Sequence, residues 1–178
     1  MLQERKYQED ALKRLRQKIK QGKKRLLLVL PTGSGKTVIF SKITKKCFDN
    51  DKKVLILVHK KELVQQASDK LKSFEVEHGI IQSGKPWKQC AIQVASVQTL
   101  VNRLNFMSHY EPNVIIVDEA HHVAPNNTWS KVLGKYPDAV TLGVTATPER
   151  LDGNNLGFYF EDLIVGLSLI HISEPTRP

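Results

Sequence analysis

The sequence predicts a doubly wound α/β fold, in which a mostly parallel sheet carries helices on both faces. Continuous apolar runs such as 26–30 and 54–58 lack the polar alternation of half-exposed strands, so they are expected to be buried on both faces. Segments with helical periodicity separate these runs, and buried strands joined by helices form parallel sheets. Because ligands of such sheets bind at the carboxyl ends of the strands, functional residues are expected there.

The elements follow one another through residues 1–166, which are expected to form one domain. Apolar residues recurring at helical spacing predict three helices, at 3–20, 36–48 and 62–74, and a short fourth helix is expected after the segment 96–100. Apolar runs predict six strands, at 26–30, 54–58, 79–81, 92–95, 114–117 and 139–144. The second helix is expected to turn toward the sheet the side chains of Val38, Ile39, Ile43 and Cys47.

A glycine-rich turn after the first strand is suited to phosphate binding. Gly33 and Gly35 have no Cβ, so their N–H groups can wrap closely around an anion, and a helix beginning at Lys36 adds further N–H groups. Lys36 supplies a charge for the outer phosphates, and the Thr37 hydroxyl is placed to ligate Mg²⁺. The strict pattern has a glycine where this chain has Leu30. The predicted nucleotide-binding residues of the turn are Thr32, Gly33, Ser34, Gly35, Lys36 and Thr37, and they leave ATP and GTP open.

Two acids follow the strand 114–117. A buried strand that ends in two acids is costly unless they bind a cation or have partners. Asp118 is therefore expected to hold Mg²⁺, directly or through water, and Glu119 to orient and polarise the water that attacks the γ-phosphate. Alternatively, the two acids cap the following helix. A zinc site at His121 and His122 is not expected, because adjacent helical residues diverge and no third ligand recurs nearby.

Composition favours a soluble cytoplasmic protein. The chain has 178 residues and two cysteines that lie far apart, so neither a disulfide nor a zinc site is expected. No apolar run is long enough to span a membrane, and the charged amino terminus is unlike a signal peptide. A membrane partner is therefore not expected.

The positive charge is concentrated in the first helix. The net charge is +9, and residues 1–25 contain ten Lys and Arg but only three Asp and Glu. This excess predicts either contact with a polyanion such as nucleic acid or a solvated helix face, and the sequence leaves both open.

Five sequence blocks occur in the order typical of superfamily 2 helicases and translocases. They are LPTGSGKT (30–37), LVHKKELVQQA (57–67), VASVQTL (94–100), DEAHH (118–122) and TATPERLDG (145–153). Residues 2–166 thus resemble the first RecA-like domain of these enzymes, closest to DEAH-type members related to restriction-enzyme and DNA-repair helicases. The resemblance implies ATP and Mg²⁺ as cofactors, and DNA, more than RNA, as partner.

The resemblance also assigns roles to individual residues. Arg5 and Gln8 resemble the segment that reads adenine, which favours ATP over GTP. Contact with one nucleic-acid strand is implied for Lys60, Ser96, Gln98 and Thr99. Coupling of the ATP site to the nucleic-acid site is implied for His121, Thr145 and Thr147. Many relatives have Arg at the position of Lys60, and Lys lacks the bidentate fork of Arg, so this phosphate contact could be weaker.

The carboxyl-terminal residues have a separate interpretation. LSLIHISEPTRP (167–178) resembles a translated sequencing adapter and is expected to be a non-native tail; a native tail is the alternative. The family implies a second RecA-like domain with arginine fingers, which nothing after Gly166 encodes. Such fingers are worth about 10³ to 10⁵ in rate. We therefore expect the chain alone to bind ATP·Mg²⁺ weakly and to hydrolyse it hardly at all.

The leading hypothesis is the ATP-binding domain of an ATP-dependent DNA helicase or translocase. An RNA helicase and the motor subunit of a restriction system remain alternatives, because no residue here reads the 2′-hydroxyl. A non-catalytic nucleotide-binding remnant that contacts nucleic acid through its first helix is a further alternative. A P-loop kinase fits poorly, since kinases need an acceptor pocket and a lid.

Overall fold

The computed structural model describes residues 2–31, 33, 35–146 and 159–165, with side chains from residue 6 onward. The helices are α1 (Leu2–Lys20), α2 (Lys36–Asp49), α3 (Lys61–Ser73), α4 (Val97–Arg103) and α5 (Thr128–Gly134). The strands are β1 (Arg25–Val29), β2 (Val54–Val58), β3 (Gly79–Ile81), β4 (Ile92–Ser96), β5 (Val114–Asp118), β6 (Val140–Thr145) and β7 (Asp162–Val165). Single 3₁₀ turns occupy Leu104–Met107 and Ala120–His122.

The strands form one parallel sheet in the order β3-β4-β2-β5-β6-β1-β7. The register places Val29 of β1 opposite Thr145 of β6, and Asp118 of β5 opposite Val144 of β6. The carboxyl ends of β1, β6 and β5 therefore lie side by side, as do those of β2 and β4, whose last residues Val58 and Ser96 are paired.

The sheet is buried on both faces, as its continuous apolar strands predict. In β1, Leu26 and Leu28 contribute to one core cluster and Leu27 and Val29 to the other. The first cluster includes residues of α1, α2 and α3, and the second includes residues of α4 and α5. Helices therefore cover both faces, and the predicted doubly wound α/β fold is confirmed.

The structure adds two elements that the sequence patterns did not predict, α5 and β7. The strand β7 pairs with β1 at the edge of the sheet, with Leu27 opposite Leu163. An ion pair of 2.7 Å between Lys18 Nζ and Asp162 Oδ2 joins this strand to α1. Both elements are short, so neither carries a long periodic signal. The proposed tail, 167–178, lies outside the described residues.

The predicted inward face of α2 is confirmed in part, because Ile39 belongs to a core cluster and Ile43 and Cys47 pack against it. Ile39 is fully buried, but the other fully buried side chains of this helix are those of Phe40, Ser41 and Thr44, whereas Val38, Ile43 and Cys47 are half-buried. Thr44 can be buried because its hydroxyl donates to the carbonyl of Phe40, at 2.8 Å. The helix lies against the sheet with α1 on one side and α3 on the other, so its buried surface is wider than one apolar stripe.

Neither cysteine forms a disulfide, since both Cys47 and Cys90 are free thiols. Among the described helices, none combines the length and the hydropathy needed to cross a bilayer.

Candidate nucleotide site and adjacent groove

The phosphate loop connects the carboxyl end of β1 to the start of α2. Gly33 and Gly35 have φ angles of 80° and 81°, in the left-handed region that glycine adopts without strain. A Cβ at Gly35 would also lie 3.2 Å from Nε2 of Gln8, a tight contact that this side chain would have to relieve. Thr32 and Ser34 lie outside the described residues. Gly33 and Gly35 thus have the conformation and the small size that close approach of an anion requires.

Lys36 and Glu119 form an ion pair at the centre of the site. Lys36 is the first residue of α2, Glu119 follows β5, and the distance from Nζ to Oε1 is 2.8 Å. The side chains are only 17% and 31% exposed, so the pair is partly shielded from water. The structure thus joins the lysine of the phosphate loop to the acid pair across the end of β6, which lies between β1 and β5 in the sheet.

Asp118 is the more deeply placed acid. Burial raises the pKa of its carboxyl, the nearby charge of Lys36 opposes that rise, and the charge of Glu119 adds to it. Its Oδ1 accepts a hydrogen bond of 2.9 Å from the backbone N–H of Glu119. A half-buried carboxylate whose charge is only partly balanced is suited to a divalent cation.

Glu119 has an unusual backbone conformation. Its φ and ψ are 54° and 53°, a left-handed conformation that is uncommon outside glycine and often found at functional sites. Its side chain makes no capping hydrogen bond to the 3₁₀ turn that follows, which disfavours the capping alternative. Instead, Oε1 contacts Lys36 and Oε2 lies 3.3 Å from Nδ1 of His121.

His121 links the acid pair to the end of β6. Its Nδ1 lies 3.2 Å from Oγ1 of Thr145, which is fully buried, as well as near Glu119. The contact between His121 and Thr145 is the one expected of two coupling residues. Thr147 lies outside the described residues.

Gln8 reaches the phosphate loop from α1. It is only 6% exposed, and its Oε1 accepts a hydrogen bond of 3.0 Å from Nζ of Lys42 on α2. Its amide nitrogen lies against Gly35, so this side chain belongs to the same site. The side chain of Arg5 lies outside the described residues. The hydrogen bond to Lys42 is a contact that the sequence did not reveal.

A cavity lies at the carboxyl ends of β2 and β4. This groove has a volume of about 510 Å³, and its lining includes the four predicted nucleic-acid contacts, Lys60, Ser96, Gln98 and Thr99. Lys61 and Arg103 add two more cations to the lining. None of the groove's lining residues belongs to α1, so the basic first helix and the groove are separate positive surfaces.

A stack of aromatic rings borders the groove, and no pattern in the sequence indicated it. His59 and His122 have ring centroids 4.5 Å apart and planes inclined by 22°, and the ring of His121 lies 4.3 Å from that of His122. Trp129 of α5 lies parallel to His122, with a centroid distance of 6.1 Å. The described residues contain no group of three or more His, Cys, Asp or Glu side chains that could hold a metal ion.

Comparison with known proteins identifies the family. The family described as the type III restriction enzyme, res subunit, matches residues 1–150, which include the phosphate loop, the acid pair and the groove residues. The chain belongs to this family. It is also similar to the putative ATP-dependent helicase IRC3 of Saccharomyces cerevisiae, with 36% identity over 89% of this chain and 25% of that protein.

Other members and solved structures agree with this assignment. The DNA 3′-5′ translocase XPB2 of Sulfurisphaera tokodaii is 32% identical over 74% of this chain and 29% of that protein. The Pyrococcus furiosus Hef helicase domain has a similar structure, with a TM-score of 0.66 and 27% identity over 80% of this chain and 35% of that chain. Within the res-subunit family, this chain is a RecA-like α/β domain, corresponding to the first such domain of superfamily 2 helicases. It spans about a quarter of the length of the two curated relatives.

Proposed function

We propose that this chain is the ATP-binding domain of an ATP-dependent helicase or translocase, which couples ATP hydrolysis to movement on nucleic acid. One observation carries the proposal: Nζ of Lys36, at the phosphate loop, lies 2.8 Å from Oε1 of Glu119, beside the half-buried Asp118. A lysine, two acids and a glycine-rich loop that converge in this way are the parts that phosphoryl transfer to water requires.

The described residues fit a nucleoside triphosphate with Mg²⁺. Gly33, Gly35 and the first turn of α2 would hold the phosphates, and Lys36 would balance their outer charge. Asp118 and Thr37 would hold the metal ion. Bound ATP·Mg²⁺ supplies the γ-phosphate that is transferred and the metal charge that stabilises it. Glu119 then orients and polarises the attacking water, with His121 fixing the second oxygen of its carboxylate.

ATP is proposed in preference to GTP. Gln8 lies against the phosphate loop, where its amide is near a bound nucleotide, and Arg5 precedes it on the same helix. The yeast relative carries the name of an ATP-dependent helicase, which favours the same choice.

Nucleic acid is the proposed track, and DNA is favoured over RNA. The groove offers Lys60, Lys61 and Arg103 to phosphates, and hydroxyl and amide groups from Ser96, Gln98 and Thr99. These groups bind the backbone without reading bases, as a motor that moves along any sequence requires. The archaeal relative is named a DNA translocase, which supports DNA. The family description also favours the motor of a restriction system as a second candidate.

We further propose that full turnover needs a second RecA-like domain. The cation nearest the acid pair among the described residues is Lys36, and an arginine from another domain would complete the charge around the transferred phosphate. The chain alone is then a binding domain with little hydrolysis. Domain bounds at 1–166 and a cytoplasmic location belong to the same proposal.

Equilibrium binding tests the proposal on the chain itself. Titrations with ATP·Mg²⁺ and GTP·Mg²⁺ by calorimetry, and with short single-stranded DNA and RNA by fluorescence anisotropy, measure the two ligands independently. The proposal expects ATP to bind more tightly than GTP, and DNA to bind more tightly than RNA. Failure to bind any oligonucleotide would favour a nucleotide-binding protein without a motor function, and equal or tighter RNA binding would favour an RNA helicase.

A further inference from the structure

One side chain, His59, lies at the junction of the groove and the nucleotide site. It follows β2 and lines the 510 Å³ groove together with Lys60 and Thr99. It also lines a neighbouring cavity of about 570 Å³, whose lining includes Glu119 and His122. Lys60 and Glu62 line both cavities as well, but His59 is the residue of the three whose ring stacks on His122.

The rings connect His59 to Glu119 by direct contacts. His59 stacks on His122 at 4.5 Å, His122 contacts His121 at 4.3 Å, and Nδ1 of His121 lies 3.3 Å from Oε2 of Glu119. Three rings thus separate the groove from the carboxylate proposed to orient water. Each contact in this series is within van der Waals or hydrogen-bonding reach, so a shift of the first ring changes the packing of the next.

The middle ring is held firmly by α5. The indole of Trp129 is only 4% exposed and lies nearly parallel to His122, inclined by 10°. The backbone carbonyl of His122 accepts a hydrogen bond of 2.8 Å from Nδ2 of Asn127, which also caps α5. The backbone of His122 is therefore held in place, and one face of its ring packs against Trp129. A displacement of His59 is then passed through this ring to His121.

The first ring is held less firmly. Nδ1 of His59 is buried, and no hydrogen-bond partner for it is found in the described part of the chain. Its ring is thus positioned on that side by stacking on His122 and by Trp129, whose centroid is 6.3 Å away. A ring that is held by stacking can tilt or slide when a ligand enters the groove, because no hydrogen bond has to break.

We propose that His59 is a positioning residue that couples occupation of the groove by a nucleic-acid strand to the position of Glu119, through the rings of His122 and His121. This inference rests on the proposed function, and it adds a specific physical connection between its two sites. A strand that contacts His59 presses the stack toward Glu119, whose other oxygen is held by Lys36 in this structure. Coupling between two binding sites is reciprocal. A nucleotide that draws Lys36 away from Glu119 should therefore change the affinity for the strand by the factor by which the strand changes the affinity for the nucleotide.

The test measures this coupling factor in the 178-residue chain. Anisotropy titrations of single-stranded DNA are performed with and without a non-hydrolysable ATP analogue and Mg²⁺, and the ratio of the two dissociation constants is the coupling factor. For the wild-type chain we expect a ratio that differs from one by at least about fivefold, the low end of typical couplings. His59→Ala and His122→Ala should bring the ratio close to one, whatever they do to either affinity alone.

Two further variants make the result specific. His59→Phe keeps a ring in the stack and should retain most of the coupling, whereas His109→Ala removes an exposed histidine near the other end of the sheet and should retain all of it. Thermal unfolding of each variant identifies losses of binding that come only from destabilisation. Such losses lower the melting temperature but leave the ratio of the two dissociation constants unchanged.

The outcomes separate this inference from the proposed function. If the wild-type chain binds neither the analogue nor DNA, the proposed function fails and this inference fails with it. If both ligands bind but the wild-type ratio is one, or His59→Ala keeps the wild-type ratio, only the coupling role of His59 is overturned. Equal loss of coupling in His59→Phe and His59→Ala would also overturn it, because ring packing would then not be the cause.

Discussion

Nζ of Lys36 and Oε1 of Glu119 lie 2.8 Å apart, although 83 positions separate the two residues in the sequence. The phosphate-loop lysine is thus paired with the acid that would orient the attacking water. A triphosphate presents Lys36 with a stronger anionic partner, so binding of a nucleotide is expected to release Glu119 from this ion pair. The ion pair therefore stabilises the nucleotide-free site and competes with the ligand.

Removal of Lys36 should destabilise the nucleotide-free chain. Lys36→Met leaves Asp118 and Glu119 without their cation. We expect the free energy of unfolding to fall by about 1–2 kcal/mol, between the values for exposed and buried ion pairs. Thermal unfolding at neutral pH measures the effect. Lys45→Met is the matched control, because Lys45 lies on the same helix and forms an exposed pair of 3.2 Å with Asp49. Its effect should stay below about 0.5 kcal/mol, and equal effects of the two variants would contradict the prediction.

Asp118 should make the nucleotide-free chain less stable as the pH rises. Burial raises the pKa of Asp118 above its ordinary value of 3.8, so the native state binds this proton more tightly than the unfolded chain does. The favourable contribution of Asp118 to the free energy of unfolding is fully present below pH 3.8. It is lost as the pH rises through the raised pKa of the native state. Asp118→Asn removes this loss and should raise the melting temperature at neutral pH by about 2–4 °C, the shift expected for 1 kcal/mol.

A second aspartate, Asp162, provides a control, because its effect on stability should change with pH in the opposite direction. The hydrogen bond from Lys18 and that from the backbone N–H of Leu163 lower the pKa of Asp162, so its contribution is present at neutral pH and is lost on acidification. Asp162→Asn should therefore lower the melting temperature slightly at neutral pH. A melting temperature that falls in Asp118→Asn at neutral pH would contradict the account of Asp118.

Gly35→Ala should impair nucleotide binding as well as stability. Its φ of 81° and the nearby amide of Gln8 oppose a Cβ, and we expect about 1–2 kcal/mol of destabilisation. Gly22→Ala is the matched control, because Gly22 has a φ of 90° but no atom within 4 Å of the added Cβ. Both variants should lose stability in urea titrations, and only Gly35→Ala should weaken ATP binding, by about tenfold or more. Equal ATP affinities would indicate that Gly35 does not lie in the nucleotide site.

Lys60 should contribute to the salt dependence of oligonucleotide binding. For single strands, each phosphate neutralised by a cation adds about 0.7 to the slope of log K against log salt concentration. Lys60→Gln should lower this slope by about 0.7, because Lys60 lines the groove. Lys13→Gln, which removes an exposed lysine from α1, should leave the slope unchanged. The reverse pattern would assign binding to the basic first helix and favour the alternative of a nucleotide-binding remnant.

The fold and the ends of most elements follow from patterns in the sequence. Runs such as Val54–Val58 are continuous because both faces of a parallel strand are buried, and the strand begins and ends where the sequence predicts. The residues that converge on the nucleotide site could be chosen because glycine-rich turns and paired acids at strand ends have few other uses.

Contacts between distant side chains could not be predicted in the same way. The stack of His59 on His122 joins two segments with no shared periodicity, and the hydrogen bond from Lys42 to Gln8 depends on how α1 lies against α2. Burial of Thr44 also runs against the apolar pattern, since a local hydrogen bond to the carbonyl of Phe40 replaces the contact with water. Such features are set by packing geometry, which a linear pattern does not encode.

Calorimetric titration of ATP·Mg²⁺ into three proteins tests the central claim most directly. The wild-type chain should bind ATP, and Lys36→Met should lose detectable binding because the phosphates lose their cation. Glu119→Gln should bind about fivefold more tightly than wild type, because Lys36 is no longer held by a carboxylate. Binding that is unchanged in Lys36→Met, or weaker in Glu119→Gln, would contradict a nucleotide site built around the ion pair of Lys36 and Glu119.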